Sequence, residues 1–512
     1  QSTPLPPSSF FPRSSFLVLL LNFLPMINTA IILTTINARY AHTAFGLRYL
    51  WSNLGPLRDH SAIREFTLDR SPLEIVESLL LENPRIIGFG VYIWNVALMT
   101  TVVRTIKAVR PDITLVLGGP EVSHEYENTP IYQSADYLIR GEGDTAFTTL
   151  ANAILEARPP AEKVIGPGYP DLASLTLPYD AYTDADIARR VIYVEASRGC
   201  PFRCEFCLSS LEKQVRDFPL DDFLDSLKKL MDRGVRQFRF IDRTFNLRKD
   251  RVEAILDFFL KHLSDGLRVH FEIVPDRLAP EMLEWIARFP PGTLHLEVGI
   301  QTYNPAAQAA ISRRQDLDRT EENLRFLREE AGALLHADLI AGLPEEGWDS
   351  FAEGFNRLLA LAPQEIQVGI LKRLKGTPIA RHADRGDLVF SNEPPYEVLQ
   401  TRWLDFAQLQ RIKRFARYFD LYHNSGNFPT SLPMLWRTNP SAFDAFMALT
   451  DGLWTATGRR HELPLPKLAH HLYNTLVASN IDSPETIADA VRNDYHRLPG
   501  RKDRLEFPSF SA

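Results

Sequence analysis

Outside one short stretch, this 512-residue chain has no cysteine: its three, Cys200, Cys204 and Cys207, form a CxxxCxxC pattern within EASRGCPFRCEFC (195–207). Three thiols cannot all pair with one another, and no other cysteine is present to take the odd one. A disulfide framework is therefore excluded as the organising principle, and a reducing compartment, the cytoplasm, is expected. Surplus positive charge is also missing. A net charge of -7 argues against an extensive nucleic-acid surface, which needs clustered Lys and Arg to displace counterions from phosphates. Long apolar runs are lacking too. The run in SSFLVLLLNFLPM is too short to span a bilayer, and no other stretch reads as transmembrane, so no membrane partner is expected. That run resembles a signal-peptide core. Because MINTAIILTTINARY passes straight into a strand-like run without a small-residue cleavage site, residues 1–25 are read as an extension outside the fold, with translation starting at Met26. A secretory signal is the competing reading.

What is present is the balance of a soluble globular protein, 45% hydrophobic and 24% charged, at a length suited to two or three domains. In residues 26–157, AIILTT (30–35), AIREFTL (62–68), RIIGFGVYI (85–93), ITLVLGG (113–119) and ADYLIRGEG (135–143) read as buried strands. Helical spacing over 72–82, 96–110 and the stretch after Gly143 separates them, which predicts a doubly wound, Rossmann-like parallel sheet. In such a sheet the ligand crevice lies beyond the carboxyl ends of the strands. Tyr92 and Trp94, the Gly118–Gly119 pair, and Gly141–Glu142 all follow strands there. Glycine lets backbone approach a large ligand, and an aromatic ring offers a flat wall; ordinary tight turns are the alternative.

Residues 158–190, with RPP, GPGYP and LPYD, lack a regular period and read as a linker. A second series follows over 191–378: VIYVEA (191–196), RQFRFID (236–242), RVHFEIV (268–274), TLHLEVGI (293–300), LHADLIAG (335–342) and EIQVGIL (365–371), with helical segments between. Six βα units suggest a partial βα barrel, whose reacting groups lie at the C-terminal ends of strands. The cysteines follow the first of these strands and so belong at the mouth. Residues 379–512 read as a helical C-terminal domain, beginning with an aromatic-rich helix over 396–424 whose stripe is expected to be packing.

Thiolates are soft ligands suited to zinc or to iron–sulfur clusters. Zinc would need a fourth ligand, and no histidine lies in the loop. A 4Fe-4S cluster held by three cysteines would keep one iron free of protein ligands. The spacing resembles the radical S-adenosylmethionine (SAM) superfamily, whose CxxxCxxC loop follows the first strand of a partial barrel. Phe206, before the last cysteine, matches the aromatic residue that packs near the adenine in that family. The doubly wound domain ahead of the barrel is similar to the cobalamin-binding class of the superfamily, in a branch with a helical C-terminal extension. INARYAHTAFGLRYL, IGFGVYIWN, LGGPEVS and IRGEGD carry the likeness in the first domain, and SRGCPFRCEFC, FRFIDRTFN, VGIQT and DLIAGLPEE in the second.

The resemblance implies a 4Fe-4S cluster on Cys200, Cys204 and Cys207, SAM chelated at the open iron, and cobalamin among Tyr92, Trp94, Gly118, Gly119, Gly141 and Glu142. Asp242, Glu272 and Gln301, at strand ends, are the expected SAM or substrate ligands, ahead of Glu297 and Asp338. Strand-end carboxylates that cap the following helix are the alternative. Glu297 and Gln301 share a face if the strand runs without a bulge. One departure stands out: the DxHxxG motif that places a histidine on cobalt is absent, and His42 and His124 lack its context. Cobalamin is then expected without a protein histidine below the metal; a domain that keeps the fold and has lost the cofactor is the alternative. The implied activity is reductive SAM cleavage serving methyl transfer to an unactivated centre, with ring formation or rearrangement as relatives' alternatives. An electron donor such as flavodoxin or ferredoxin is implied, and a small molecule or peptide as substrate. No catalytic side chain is singled out. A cobalamin- or iron–sulfur-based redox sensor without turnover is the competing function.

Overall fold

The computed structural model describes residues 29–437, 439–497, 501 and 504–507; the 1–25 extension lies outside the described residues. The first sheet contains β1 (Ile31–Asn37), β2 (Ser61–Thr67), β3 (Ile86–Gly90), β4 (Thr114–Gly118), β5 (Tyr137–Gly141) and β6 (Val164–Gly168). Its order is β2-β1-β3-β4-β5-β6, parallel throughout. Every residue of β1 is buried, because helices cover both faces and build a separate apolar core on each. Strand order reverses at β1, which has β2 on one side and β3 on the other. The crevice expected at such a switch point opens beyond their carboxyl ends.

The sixth strand lies inside the segment read as a linker. Its sequence, VIGPG, hid it: the strand is largely exposed, and proline is tolerated only at a sheet edge, where β6 sits beside β5.

The second sheet begins with β7 (Ile192–Val194). Two short strands, β8 (Ser197–Arg198) and β9 (Arg216–Asp217), then pair antiparallel and close the base of the cysteine loop. The sheet continues through β10 (Gln237–Phe240), β11 (Arg268–Ile273), β12 (Leu294–Gln301), β13 (Leu334–Ala341) and β14 (Glu365–Ile370). These strands are parallel and adjacent in chain order, with β7 and β14 at the two edges, which is a partial barrel. Along β12, Leu294, Leu296, Val298 and Ile300 are buried, while His295, Glu297, Gly299 and Gln301 alternate with them on the lumen face. Such a lumen is polar.

Beyond the barrel, β15 (Leu388–Phe390) and β16 (Val398–Thr401) form a small antiparallel pair. The helix expected over 396–424 starts later, at Phe406, because β16 claims its first residues and Asp405 caps it in a reciprocal box with Gln408; it runs as α-helix to Phe419 and on as a π-helical segment, Asp420–Asn424. Phe415 and Phe419 meet Phe355 of a barrel helix and Phe446 of the next C-terminal helix edge-to-face. The stripe is packing, and one continuous core joins barrel and C-terminal helices. Among the described residues no helix is long and apolar enough to cross a membrane.

Candidate functional site

The cysteine loop is held by backbone before any ligand is considered. Gly199 has φ +95°, and a Cβ there would stand 2.2 Å from the Gln214 carbonyl oxygen, so only glycine lets the loop pass β9's approach. Cys200 N–H donates to the Glu212 carbonyl at 3.0 Å, and Glu205 N–H to that of Ile311 at 3.0 Å. The Glu205 carboxylate accepts from Arg381 at 2.6 Å and from Ser312 at 2.7 Å, fastening the loop to the barrel and to the segment leaving it. Cys200 and Cys204 are buried, Cys207 is half-buried, and all are free thiols. Burial first, and then the neighbouring Cys207 and Cys204, pushes the Cys200 thiol up. A bound cation reverses that preference.

All three cysteines line one cavity of about 190 Å³, together with Phe206, Glu272 and Gln301. Burial raises Glu272, opposed by Arg243, which donates to it at 2.9 Å. A bulge does interrupt β12 between Gly299 and Gln301, yet Glu297 and Gln301 face the same cavity. The condition attached to their shared face thus fails as stated. The reason is the left-handed backbone at Gln301, φ +72°, which turns the amide back over Gly299; a Cβ on Gly299 would lie 2.6 Å from Gln301 Nε2. Gln301 Oε1 is buried without a partner.

Asp242 is not brought to this cavity. Its carboxylate is buried and accepts from Ala196 N–H at 3.0 Å and Ser197 Oγ at 2.6 Å, and burial pushes it up to about 6. It anchors the start of the cysteine loop. Arg243 and Arg313, which carried no signal beyond standing next to other polar residues, take places there; Arg313 Nη1 approaches Cys204 Sγ at 3.5 Å.

A second cavity, about 630 Å³, opens at the switch point of the first sheet. Tyr92, Trp94, Gly118, Gly119, Gly141 and Glu142 all line it. Tyr92 and Trp94 stack at 4.5 Å with 6° between their planes, and Trp94 Nε1 donates to the Ile36 carbonyl at 3.1 Å. Gly119 corrects one argument from sequence. Its φ is +106° and a Cβ would sit 2.5 Å from the Val91 oxygen, so this glycine is required by contact with the neighbouring strand end, with or without a ligand. His42 lines the same cavity with Nδ1 2.6 Å from the Tyr193 hydroxyl, whereas His124 packs against Gly376 at a neighbouring one.

The barrel supplies the far wall of this cavity through Tyr193, Glu195, Arg198 and Ile241. Arg198 is the hub: it pairs with Glu195 at 3.0 Å, Glu142 at 2.8 Å and Asp144 at 2.9 Å. Burial pushes Glu195 up to about 7 even so. A third cavity, about 560 Å³, shares Glu142, Glu195 and Arg198 with the sheet cavity and Ser209 and Arg243 with the cysteine cavity. The three are neighbours that share these walls. Sequence reading passed over Glu195 and Arg198 because they flank the cysteines without a motif of their own.

Comparison with known proteins agrees with this architecture. The radical SAM superfamily matches residues 194–358, the B12 binding domain residues 32–151, and a family of unknown function, DUF4080, residues 386–509. The chain thus carries a region that matches the radical SAM superfamily behind one that matches the B12 binding domain. It is 26% identical over 249 residues to an uncharacterized methyltransferase from Pyrococcus horikoshii, covering 44% of this chain and 53% of that one. Over 335 residues it is 24% identical to the anaerobic magnesium-protoporphyrin IX monomethyl ester cyclase of Rubrivivax gelatinosus, 59% of each chain. The chain thus spans about half the length of the curated relatives it matches. In fold it is similar to the radical SAM methyltransferase TsrM from Kitasatospora setae with cobalamin and a 4Fe-4S cluster bound: TM-score 0.60, 17% identity, 92% of this chain and all of that one.

These matches imply a 4Fe-4S cluster, SAM and cobalamin, and the donor sets fit. A single tetrahedral zinc would hold sulfurs roughly 3.8 Å apart. Among the described residues, however, the group of three ligand atoms lying within 4.8 Å of one another is His295, His336 and Glu365, not the cysteines. Wider spacing around a shared cavity suits a cuboidal cluster, and the orphaned Gln301 Oε1 awaits a donor beside it.

Proposed function

We propose that this chain is a cobalamin-dependent radical SAM enzyme that transfers a methyl group to an unactivated carbon or phosphorus centre. The observation that carries the reading is that the cysteine cavity and the sheet cavity flank one middle cavity, sharing Arg243 with it on one side and Glu142, Glu195 and Arg198 on the other. When bound, the cluster with SAM supplies a reductively generated 5′-deoxyadenosyl radical, and cobalamin supplies a methyl carrier. Cys200, Cys204 and Cys207 hold three irons and leave the fourth for SAM. Phe206 gives the adenine an apolar wall, and Gln301 and Glu272 accept hydrogen bonds from SAM, Glu272 with its charge balanced by Arg243. Asp242 acts at one remove, keeping Ala196 and Ser197 in place ahead of the loop.

On the sheet side, the stacked Tyr92–Trp94 pair and the Gly118–Gly119 turn flank cobalamin. His42 lines the same cavity, its Nδ1 held by the Tyr193 hydroxyl. The substrate, a small molecule or peptide, would enter the middle cavity between the two cofactor sites. A low-potential donor such as flavodoxin or ferredoxin provides the electron.

Anaerobic turnover of SAM by the reconstituted chain with a strong reductant, with and without cobalamin, tests this. Formation of 5′-deoxyadenosine that needs all three cysteines, with S-adenosylhomocysteine that needs cobalamin, is the expected result. A fully loaded protein that yields neither across a panel of small-molecule and peptide acceptors overturns it.

A further inference from the structure

The lumen of the barrel holds a second group of metal-ligating side chains, at the end opposite the cysteines. His295 lies at the start of β12, His336 near the start of β13, and Glu365 is the first residue of β14. Strand alternation puts His295 on the face of Glu297, and His336 on the face of Asp338, both of which line the cysteine cavity farther up. The register pairs His336 directly with Glu365. One nitrogen from each histidine and a Glu365 oxygen all lie within 4.8 Å of one another.

We propose that His295, His336 and Glu365 bind a divalent transition metal of the zinc class, with water in the remaining position. Two imidazoles and a carboxylate are donors that suit such an ion better than calcium or magnesium, which prefer all-oxygen sets. The surroundings supply independent support. His336 presents Nδ1 to Glu365 Oε2 at 3.5 Å and Nε2 to Asp338 Oδ1 at 3.2 Å. A ligating histidine typically has a carboxylate on its other nitrogen, which fixes the ring and its tautomer. His336 Nε2 and Asp338 Oδ1 are otherwise buried without a hydrogen-bond partner. Among the described residues His295 makes no hydrogen bond. Its neighbour His270 packs edge-on at 4.9 Å between ring centroids and sets Nε2 3.0 Å from Glu297 Oε2.

The metal has a mechanical role. β14 is the last strand of the partial barrel, paired with β13 on one side and held on the other by Asn424, whose amide bonds the Ile366 N–H and carbonyl at 3.1 and 3.0 Å. One ion would tie it to β12 and β13, holding shut the side of the barrel from which the chain departs toward the C-terminal helices.

The test uses the full chain with its cluster reconstituted, so that the cysteines are occupied, and zinc alone as the probe. One further equivalent of zinc, retained against a weak chelator, and a rise in melting temperature on its addition are expected. Affinity should fall at least about tenfold in Glu365→Gln and in His295→Gln. Cobalt(II) in place of zinc should give visible ligand-field bands without the near-ultraviolet thiolate charge transfer that binding at the cysteines produces. Glu365 has a side chain 41% exposed, so its substitution leaves the core intact, and melting of both variants without zinc checks this. Zinc uptake equal in wild type and variants, no uptake at all, or a thiolate signature each overturns the proposal. Because the readout is zinc and not SAM, its failure is separable from failure of the radical SAM reading.

Discussion

The cysteine cavity and the sheet cavity are built in opposite ways. The cysteine cavity takes its metal donors from one short loop, closed at its base by β8 and β9, and its remaining polar groups from strand ends around the barrel. The sheet cavity has no such nucleus: its walls come from the ends of β1, β3, β4 and β5 and, across the junction, from the barrel itself. A ligand set carried by one loop can form before the domains are docked. A cavity walled by two domains cannot, and its shape depends on the charge cluster around Arg198.

The largest expected effect separates the cavities. Cys204→Ser should abolish the iron–sulfur absorbance and 5′-deoxyadenosine formation, while cobalamin affinity stays within about twofold, as for sites without shared partners. Loss of both cofactors together would mean that the cavities are one folding unit. Next in size is the junction. Arg198→Met leaves Glu195, Glu142 and Asp144 without their shared cation and should cost about 3–5 kcal/mol in urea unfolding, with cobalamin binding weakened more than cluster assembly.

The smallest effect probes the floor beneath Gln301. Glu346 is buried, bonded only to Thr302 Oγ1 at 2.5 Å, and burial pushes it up to about 7 from its ordinary 4.5. A carboxyl raised on folding favours the folded state while protonated. That advantage is present below the ordinary value and fades as pH climbs from about 4.5 to about 7. Glu346→Gln should therefore raise the melting temperature at pH 8 by an amount worth roughly 1–3 kcal/mol and change little at pH 4. An equal shift at both values would assign the effect to packing instead of ionisation.

Much of the architecture could be read without coordinates. β1 to β5 and the six barrel strands fall where apolar runs alternate with helical spacing, and the cysteine loop was recognisable from three residues. The misreadings share a cause. β6 was taken for linker because an exposed edge strand needs no apolar pattern. Asp242 was grouped with Glu272 and Gln301 because all three are polar residues at strand ends, yet its carboxylate is consumed by backbone. Gly119 looked like room for a ligand and is room for Val91.

Periodicity and short-range spacing are written within a dozen residues, so fold class, the order of βα units and the three thiols are properties of the sequence alone. Which polar side chain turns into a cavity is not local. It follows from the register of parallel strands whose partners are distant in the chain, from one left-handed residue at Gln301, and from burial that sets whether a carboxylate is charged. The walls that the cavities share, and the meeting of His295, His336 and Glu365 at the barrel floor, exist only once those strands lie side by side.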